Sequence, residues 1–292
     1  MKFPLIVKWA ITDKCNFSCK HCYRSQRKKE ISRENANMII EELHKERVGC
    51  VAITGGEPLM AKEFIYIINS LHEKGIETEI ATNGYFITKD IISLFKKNGI
   101  STIQISLEGY NSEQNDYIRG CGTFEHIVRN IRFLVSSGIN VVLANTLNHA
   151  NCKDIDNMVK FANDLRVAAL RFEIYIPIRD DINGLRLDEK DMQFLKNKFS
   201  EYSGYKNIIL PVFHSAINCG AGEYMTMINS DMTVSPCDLL CDHVKSELHI
   251  DNEHSIKYIW QNDLELKKWR QRPFDGCMLT SKNHFTDYRR MA

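Results

Sequence analysis

Two hydrophobic periodicities alternate along the chain up to about residue 185. Short apolar runs rich in β-branched residues predict six strands, at 5–12, 50–54, 78–82, 102–106, 140–146 and 168–176. The segments between them repeat apolar residues every three to four positions, as amphipathic helices that cover a sheet do. Regular alternation of strand and helix predicts a parallel sheet in an α/β protein.

Glycines mark the ends of several predicted helices. Gly75, Gly99 and Gly138 each stand just before the next predicted strand, which is the position that a residue with positive φ takes after a helix. The alternation stops after residue 185, where one helix pattern at 184–204 precedes an irregular region. Within that region, strand-like stretches on either side of the turn at 229–231 predict a small hairpin.

Three segments are therefore expected along the chain. Residues 1–185 form the α/β domain, residues 186–213 contain a connecting helix, and residues 214–292 form a smaller C-terminal unit.

Composition narrows the class of protein. The chain has 292 residues, of which 43% are hydrophobic and 26% charged, as in globular proteins. Its 38 basic and 37 acidic side chains nearly cancel, so there is no overall field that would attract nucleic acid or an anionic membrane. No apolar stretch reaches the roughly 18 residues of a membrane span, and the N-terminus lacks a signal peptide pattern. We expect a cytoplasmic protein without nucleic-acid or membrane partners.

Cysteine usage points to metal or redox chemistry. Ten cysteines are many for a protein of a reducing compartment, where disulfides are rare. Three of them, Cys15, Cys19 and Cys22, follow the first predicted strand in a CxxxCxxC spacing. Three clustered thiolates leave one iron of a cubane cluster without a protein ligand. The alternatives are thiols that only pack, or a zinc site completed by a distant ligand such as His21.

This motif, with the aromatic His21 before its third cysteine, resembles that of the radical S-adenosylmethionine (radical SAM) enzymes. The resemblance implies a partial (β/α)6 TIM-like barrel in which Cys15, Cys19 and Cys22 hold a 4Fe-4S cluster. In that family the amino and carboxylate groups of SAM chelate the fourth iron. An electron from a donor such as flavodoxin or ferredoxin cleaves SAM, and the 5′-deoxyadenosyl radical takes a hydrogen atom from the substrate.

The segment TGGEP at 54–58 follows the second predicted strand. Gly55 and Gly56 would let the backbone approach a ligand closely, and the Glu57 carboxylate can accept hydrogen bonds from an amino group. In the family this stretch meets the ammonium of SAM. The alternative is a plain strand-to-helix junction in which Pro58 starts the helix.

Polar residues stand at the ends of later strands. Asn83, Ser106 and Glu108 follow or end predicted strands, where α/β proteins bind ligands. The resemblance makes Ser106 and Arg119 candidates for the carboxylate and ribose of SAM, and adds Asn145 at the end of the fifth strand. Hydroxyl and guanidinium groups that only stabilise loops are the alternative.

A second group of cysteines lies in the C-terminal unit. Cys219, Cys237, Cys241 and Cys277 resemble the SPASM extension of radical SAM enzymes, or its shorter twitch form, which binds auxiliary iron-sulfur clusters. The full extension carries more cysteines, so the four imply one auxiliary 4Fe-4S cluster. Relatives often have a second cysteine shortly after the one corresponding to Cys277, and here it is absent. Cys241 then becomes the fourth ligand, or one iron stays open; zinc or structural thiols are the alternatives.

The resemblance supports several substrates. The first hypothesis is a maturase that cross-links, oxidises or epimerises a ribosomally synthesised peptide. The second is a dehydrogenase of a sugar or aminocyclitol, and a hypothesis from another class is a non-catalytic iron-sulfur carrier or redox sensor. Only 14 residues precede Cys15, so a peptide maturase is expected to use a separate leader-recognition protein or to bind a short peptide directly.

No residue is singled out by the sequence as the catalytic acid, base or hydrogen donor. Weak candidates are Cys121, whose thiol could return a hydrogen atom, Tyr23 and Glu108, and Asp116 and Arg171 also occupy plausible positions.

Overall fold

The structure is a computed structural model that describes residues 3–4, 6–24, 29–178, 183–211 and 220–271. Its residues divide into two compact units. Unit 1 comprises Met1–Cys15, Arg24–Ile80 and Val212–Ala292, and unit 2 comprises Asn16–Tyr23 and Ala81–Pro211. The division at residues 185 and 213 that the sequence predicts stays a prediction.

Strands and helices alternate through most of the described chain. The strands are β1 (Ile6–Ala10), β2 (Cys50–Thr54), β3 (Glu77–Thr82), β4 (Thr102–Ser106), β5 (Asn140–Leu147), β6 (Ala169–Ile174), β7 (Ile208–Ile209), β8 (Met225–Ile228) and β9 (Val234–Ser235). The α-helices are α1 (Arg33–Lys45), α2 (Phe64–Glu73), α3 (Lys89–Lys97), α4 (Ser112–Arg119), α5 (Thr123–Ser136), α6 (Ile155–Asp164), α7 (Glu189–Tyr202), α8 (Ile256–Asn262) and α9 (Leu264–Arg270). Two short 3-10 helices lie at Pro58–Met60 and Cys152–Asp154.

The six predicted strands and the helices between them are confirmed, and β2 and β4 have the predicted bounds. Helix α4 was not predicted because its sequence is mostly polar and places only Asn115, Ile118 and Arg119 in the interior. It forms because Asn111 caps its N-terminus, accepting a hydrogen bond from the backbone N–H of Gln114 at 2.9 Å. The sequence also did not predict β7, α8 and α9.

In unit 1, the sheet includes strands from both ends of the chain. β1 pairs in parallel with β2, and β2 with the first residues of β3. On its other side β1 pairs in parallel with β8, which forms the predicted hairpin with β9. The C-terminal hairpin thus extends the sheet that begins at β1. Val7, Trp9, Val51 and Ile53 fill the core on one face of this sheet.

In unit 2, strands β4, β5, β6 and β7 are parallel neighbours in that order. Ile103, Leu143 and Phe172 lie on the face that helices cover, and each is buried. Because side chains alternate along a strand, the other face carries a separate set of residues. We call it the open face of β4–β6; its residues are Gln104, Ser106, Val142, Ala144, Thr146, Ala169, Arg171 and Glu173.

Among the described residues, no helix combines the length and apolar character that crossing a membrane requires.

Candidate functional site

The loop after β1 carries the CxxxCxxC motif near the protein surface. Cys15 and Cys22 are exposed and Cys19 is half-buried. A turn brings the last two together, since the Cys22 backbone N–H donates to the Cys19 carbonyl at 3.1 Å. The donor set, three thiols that follow one another closely along the chain and are at least partly exposed, suits an iron-sulfur cluster with one iron left for another ligand.

The glycines of the TGGEP segment pack against the backbone that leads into this loop. The N–H of Gly56 donates to the Thr12 carbonyl at 2.7 Å, and that of Glu57 to the Lys14 carbonyl at 2.8 Å. A Cβ atom on Gly55 or Gly56 would collide with the Thr12 or Lys14 carbonyl. The structure thus supplies a reason for both glycines that the sequence did not suggest: they allow two backbone segments to meet.

Glu57 and Pro58 form the junction between β2 and the following 3-10 helix. Pro58 is the first residue of that helix, and the fully buried Glu57 caps it by accepting from the Leu59 N–H at 3.1 Å. The junction foreseen as an alternative is therefore present. A role of the Glu57 carboxylate toward the SAM ammonium stays a prediction.

Glu108, two residues beyond β4, is the centre of a buried polar cluster in unit 2. Its side chain is 1% exposed, and it accepts from Arg119 Nη2 at 2.8 Å and from the Thr146 N–H at 2.7 Å. A buried carboxylate is costly unless its charge and lone pairs are matched, and both requirements are met here. Arg119, predicted to bind SAM, has a carboxylate partner within the protein.

His21 lies beside this cluster, with its Nε2 atom 3.5 Å from Glu108 Oε1. Burial lowers the pKa of His21; the Glu108 charge opposes this effect and the Arg119 charge adds to it. The imidazole is therefore neutral at pH 7 and offers an uncharged aromatic face next to Cys22. Its Nδ1 atom is buried and has no hydrogen-bond partner within the described part of the chain.

Asn83 follows β3 and connects to the cysteine loop. Its Nδ2 donates to Asn16 Oδ1 at 2.8 Å, while its Oδ1 accepts from the Tyr85 N–H at 2.9 Å. The Tyr85 ring packs edge-on against Phe17, with ring centroids 5.6 Å apart. Asn83 thus positions the residues between Cys15 and Cys19, a role that sequence analysis missed because it depends on a distant contact.

Ser106 and Asn145 lie on opposite faces of the sheet in unit 2. Ser106 ends β4 on the open face, where its hydroxyl can reach a ligand. Asn145 is buried on the helix-covered face, and its Nδ2 donates to the Leu107 carbonyl at 2.9 Å. Strand β5 also continues to Leu147, so Asn145 is not the end of the strand as expected.

Of the weak catalytic candidates, Cys121 is exposed in the turn between α4 and α5, and Tyr23 is half-buried. The Asp116 carboxylate stabilises the start of α5, since it accepts hydrogen bonds from the N–H groups of Gly122 at 2.7 Å and Phe124 at 2.9 Å. Burial would raise the pKa of Asp116, but hydrogen bonds outweigh it and lower the pKa.

The structure describes two of the four cysteines predicted to bind the auxiliary cluster. Cys219 and Cys277 lie outside the described residues. Cys237 follows β9 and is half-buried, whereas Cys241 is 3% exposed. Burial raises the pKa of Cys241 to about 12, despite the opposing charge of Arg24. Without a metal, this thiol therefore keeps its proton, and binding iron would release it.

An ion pair attaches this cysteine segment to β1. Lys8 Nζ lies 2.9 Å from Asp238 Oδ1, and Asp238 directly follows Cys237. Burial would raise the pKa of Asp238, but the charge and hydrogen bond of Lys8 lower it. Nothing in the sequence signals this contact, since 230 positions separate the two residues.

A further group with potential metal ligands consists of His149, Asp188 and Asp191, near the start of α7. Asp188 and Asp191 form a capping box, and Asp191 also accepts from His149 Nδ1 at 2.6 Å and pairs with Lys153 Nζ at 3.0 Å. The hydrogen bond to Asp191 raises the pKa of His149. With a lysine ammonium already on the carboxylate, this group is a helix cap and not a cation site.

Comparisons with known proteins agree with the motif. A family described as the Radical SAM superfamily matches residues 9–162. The mycofactocin maturase MftC of Mycolicibacterium smegmatis is 25% identical over 97% of this chain and 76% of its own length. The Fe-coproporphyrin III synthase of Methanosarcina barkeri is 31% identical over 59% of this chain. This match spans only 44% of the synthase.

Solved structures share the fold at low identity. Streptococcus suis SuiB bound to its precursor peptide SuiA superimposes with a TM-score of 0.74 at 17% identity, covering 96% of this chain and 68% of SuiB. The enzyme anSMEcpe with bound AdoMet and the Cp18Cys peptide gives 0.76 at 16% identity, covering 91% and 82%. BtrN in complex with AdoMet and 2-DOIA gives 0.56 at 15% identity, covering 98% and 93%.

These structures confirm the predicted α/β partial (β/α)6 barrel. The family match spans more than half of the chain and includes the cysteine loop, the TGGEP segment and β4. The chain therefore belongs to the radical SAM superfamily of enzymes.

Proposed function

We propose that this enzyme cleaves S-adenosylmethionine reductively and abstracts a hydrogen atom from a ribosomally synthesised peptide. The observation that carries the proposal is the CxxxCxxC loop after β1 in a chain that aligns over 97% of its length with the mycofactocin maturase MftC and has the fold of peptide-bound SuiB. Cys15, Cys19 and Cys22 would hold the 4Fe-4S cluster, which supplies the electron for cleavage when bound. Flavodoxin or ferredoxin is the proposed donor of that electron, and a separate leader-recognition protein the proposed partner.

The residues around this loop would bind and orient the cosubstrate. The Ser106 hydroxyl on the open face is available to a ligand, and the neutral His21 ring can pack against an aromatic base. The buried Glu108–Arg119 pair lies beside His21. Glu57 and Asn83 would position backbone segments of the site, because their side chains already form hydrogen bonds within the protein.

We also propose one auxiliary 4Fe-4S cluster on Cys219, Cys237, Cys241 and Cys277. Cys237 and Cys241 lie in one turn, since the Cys241 N–H donates to the Asp238 carbonyl at 3.3 Å. Such a turn brings two thiols near each other, as cluster ligation requires. An auxiliary cluster would accept the electron that a substrate radical releases, which suits a net two-electron oxidation.

Iron counting tests both clusters. After anaerobic reconstitution, the enzyme should bind about eight irons per chain, because each cubane contains four. Changing Cys15, Cys19 and Cys22 to alanine should remove about half of this iron and abolish formation of 5′-deoxyadenosine. Cys50→Ala is the matched control, since this half-buried thiol lies on β2 outside both motifs.

Different results would contradict different parts of the proposal. About four irons in the wild type, all lost in the triple variant, would disprove the auxiliary cluster alone. Formation of 5′-deoxyadenosine by the triple variant would disprove the radical SAM assignment of these cysteines. A protein that binds iron but never forms 5′-deoxyadenosine would be an iron-sulfur carrier.

A second candidate is the oxidation of a small molecule such as an aminocyclitol. It is favoured by chain coverage, since the superposition spans 93% of BtrN, solved with 2-DOIA, but 68% of peptide-bound SuiB. The two candidates separate when 5′-deoxyadenosine formation is compared between an aminocyclitol and the product of a short open reading frame, which a peptide maturase is expected to have beside its gene. If only the aminocyclitol stimulates 5′-deoxyadenosine formation, the substrate is a small molecule and not a peptide.

A further inference from the structure

Arg171 places a positive charge on the open face of β6, which also carries Glu173 two residues further along the strand. Its neighbours Leu170 and Phe172 are buried on the helix-covered face, so the half-buried Arg171 side chain lies on the open face. Nη1 donates to Gln104 Oε1 at 3.1 Å. No carboxylate of the described residues forms an ion pair with the guanidinium, and its buried Nε–H has no acceptor there.

Among the described residues, the two arginines that are buried each form an ion pair with a carboxylate. Arg119 pairs with Glu108 at 2.8 Å, and Arg24 pairs with Asp13 at 3.0 Å. A guanidinium partly removed from water is stable only when anionic or polar acceptors replace its hydration. The neutral amide of Gln104 orients Arg171 without cancelling its charge. An anionic ligand would supply what is missing.

Arg171 also lies in the same row as a residue proposed to contact the cosubstrate. In the register of the sheet, Ser106 pairs with Ala144 and Ala144 pairs with Arg171, so the three share one face. Two strand spacings, about 10 Å, separate Ser106 from Arg171. The residue between them, Ala144, has a small side chain and is 9% exposed.

We propose that Arg171 binds a carboxylate of the substrate, with Gln104 holding the guanidinium in place. The planar fork of an arginine donates two parallel hydrogen bonds to a carboxylate, which fixes the orientation of the bound molecule. The role rests on the proposed function, because the open face becomes a substrate surface only if Ser106 faces the cosubstrate. In a peptide, the carboxylate belongs either to an acidic side chain or to the C-terminus.

Binding of short peptides to the reconstituted enzyme with SAM tests the assignment. The probes are acetyl-Gly-Asp-Gly-amide, its Asn analogue, and acetyl-Gly-Gly-Gly with a free C-terminus, measured by calorimetry. At least one carboxylate probe should bind about tenfold more tightly than the neutral analogue, and Arg171→Gln should abolish the difference. Arg132→Gln, the same change on an exposed position of α5, should preserve it. Which probe gains affinity identifies the source of the carboxylate.

Thermal unfolding and SAM binding separate this role from others. Because Arg171 lacks an anionic partner, Arg171→Gln should leave Tm unchanged or raise it, whereas loss of a structural arginine would lower it. Iron content of Arg171→Gln should match the wild type, and an enzyme that binds no iron or SAM even as the wild type contradicts the proposed function and not the role of Arg171. Equal binding of all probes, or no binding by any, overturns the proposal. Weaker SAM binding in Arg171→Gln without a peptide effect assigns the residue to the carboxylate of SAM and overturns it too.

Discussion

At the scale of single residues, the position of Glu108 suggests a catalytic role, but its contacts indicate a structural one. It stands just beyond a strand end, where a catalytic carboxylate is expected, but its side chain neutralises Arg119 and accepts from the Thr146 backbone. It also approaches His21 next to the cluster loop. One buried carboxylate therefore connects α4, β5 and the cysteine motif within unit 2.

Replacing Glu108 by alanine should destabilise the protein by about 3–5 kcal/mol, because Arg119 would keep a buried charge without its partner. The free energy of unfolding in urea measures the loss. Glu113→Ala is the control; this residue is exposed in the first turn of α4, and its removal should cost at most about 1 kcal/mol. Equal stability of the two variants would show that Glu108 does not stabilise the fold.

At the scale of elements, helix α5 depends on its neighbour for its N-terminal cap. It begins after Gly122, which has a φ of 77° and no side chain to accept from the first turn. Asp116 of α4 accepts from the N–H groups of Gly122 and Phe124 and from the Thr123 hydroxyl instead. A residue of α4 thus caps the next helix, and the turn that contains Cys121 is held between the two helices.

Asp116→Ala should lower the free energy of unfolding by about 1–2 kcal/mol, as the loss of other N-caps does. Asp116→Asn should lower it less, because an amide oxygen can still accept the hydrogen bonds. Since the pKa of Asp116 is lowered from 3.8, the extra stability of the wild type over the Asn variant is present above pH 3.8. It is lost as the pH falls through the lowered pKa. Urea unfolding from neutral to acidic pH measures this difference.

Asp164→Ala serves as the control for the cap. This residue ends α6, where a carboxylate faces the negative end of the helix dipole, so its removal should be neutral or slightly stabilising. If the difference in unfolding free energy between wild type and Asp116→Asn stays constant as the pH falls, the negative charge of Asp116 does not stabilise the cap.

At the scale of the whole chain, the C-terminal segment is part of the sheet that starts at the N-terminus. β8 pairs with β1, and Lys8 of β1 pairs with Asp238 beside Cys237. The Glu42 carboxylate of α1 accepts from the first N–H groups of α8 at 2.8 Å. The described residues 220–271 thus belong to unit 1.

A chain ending at residue 213, just before the predicted start of the C-terminal unit, should therefore not fold as a separate domain. Removing β8 exposes the backbone edge of β1, and unpaired edges favour aggregation. We expect the truncated protein to aggregate in size-exclusion chromatography and to lose the cooperative thermal transition of the full chain. A monomeric truncated chain with a cooperative transition would contradict this expectation.

The order of strands and helices and the cysteine chemistry could be inferred from the sequence, because both depend on neighbours along the chain. Period-two and period-3.6 hydrophobic patterns determine β2, β4 and α5 locally, and Cys15, Cys19 and Cys22 carry their spacing within one loop. Those signals were enough to identify the radical SAM superfamily and its partial barrel.

The partners of the polar residues were decided only by the tertiary structure. The sequence shows that Glu108 and Asn83 follow strands, but not that one neutralises Arg119 and the other holds Asn16. Contacts across 230 positions, such as Lys8 with Asp238, leave no local pattern. A hydrogen bond or an ion pair depends on distances of a few ångströms, and folding sets those distances between residues whose separation along the chain says nothing about them.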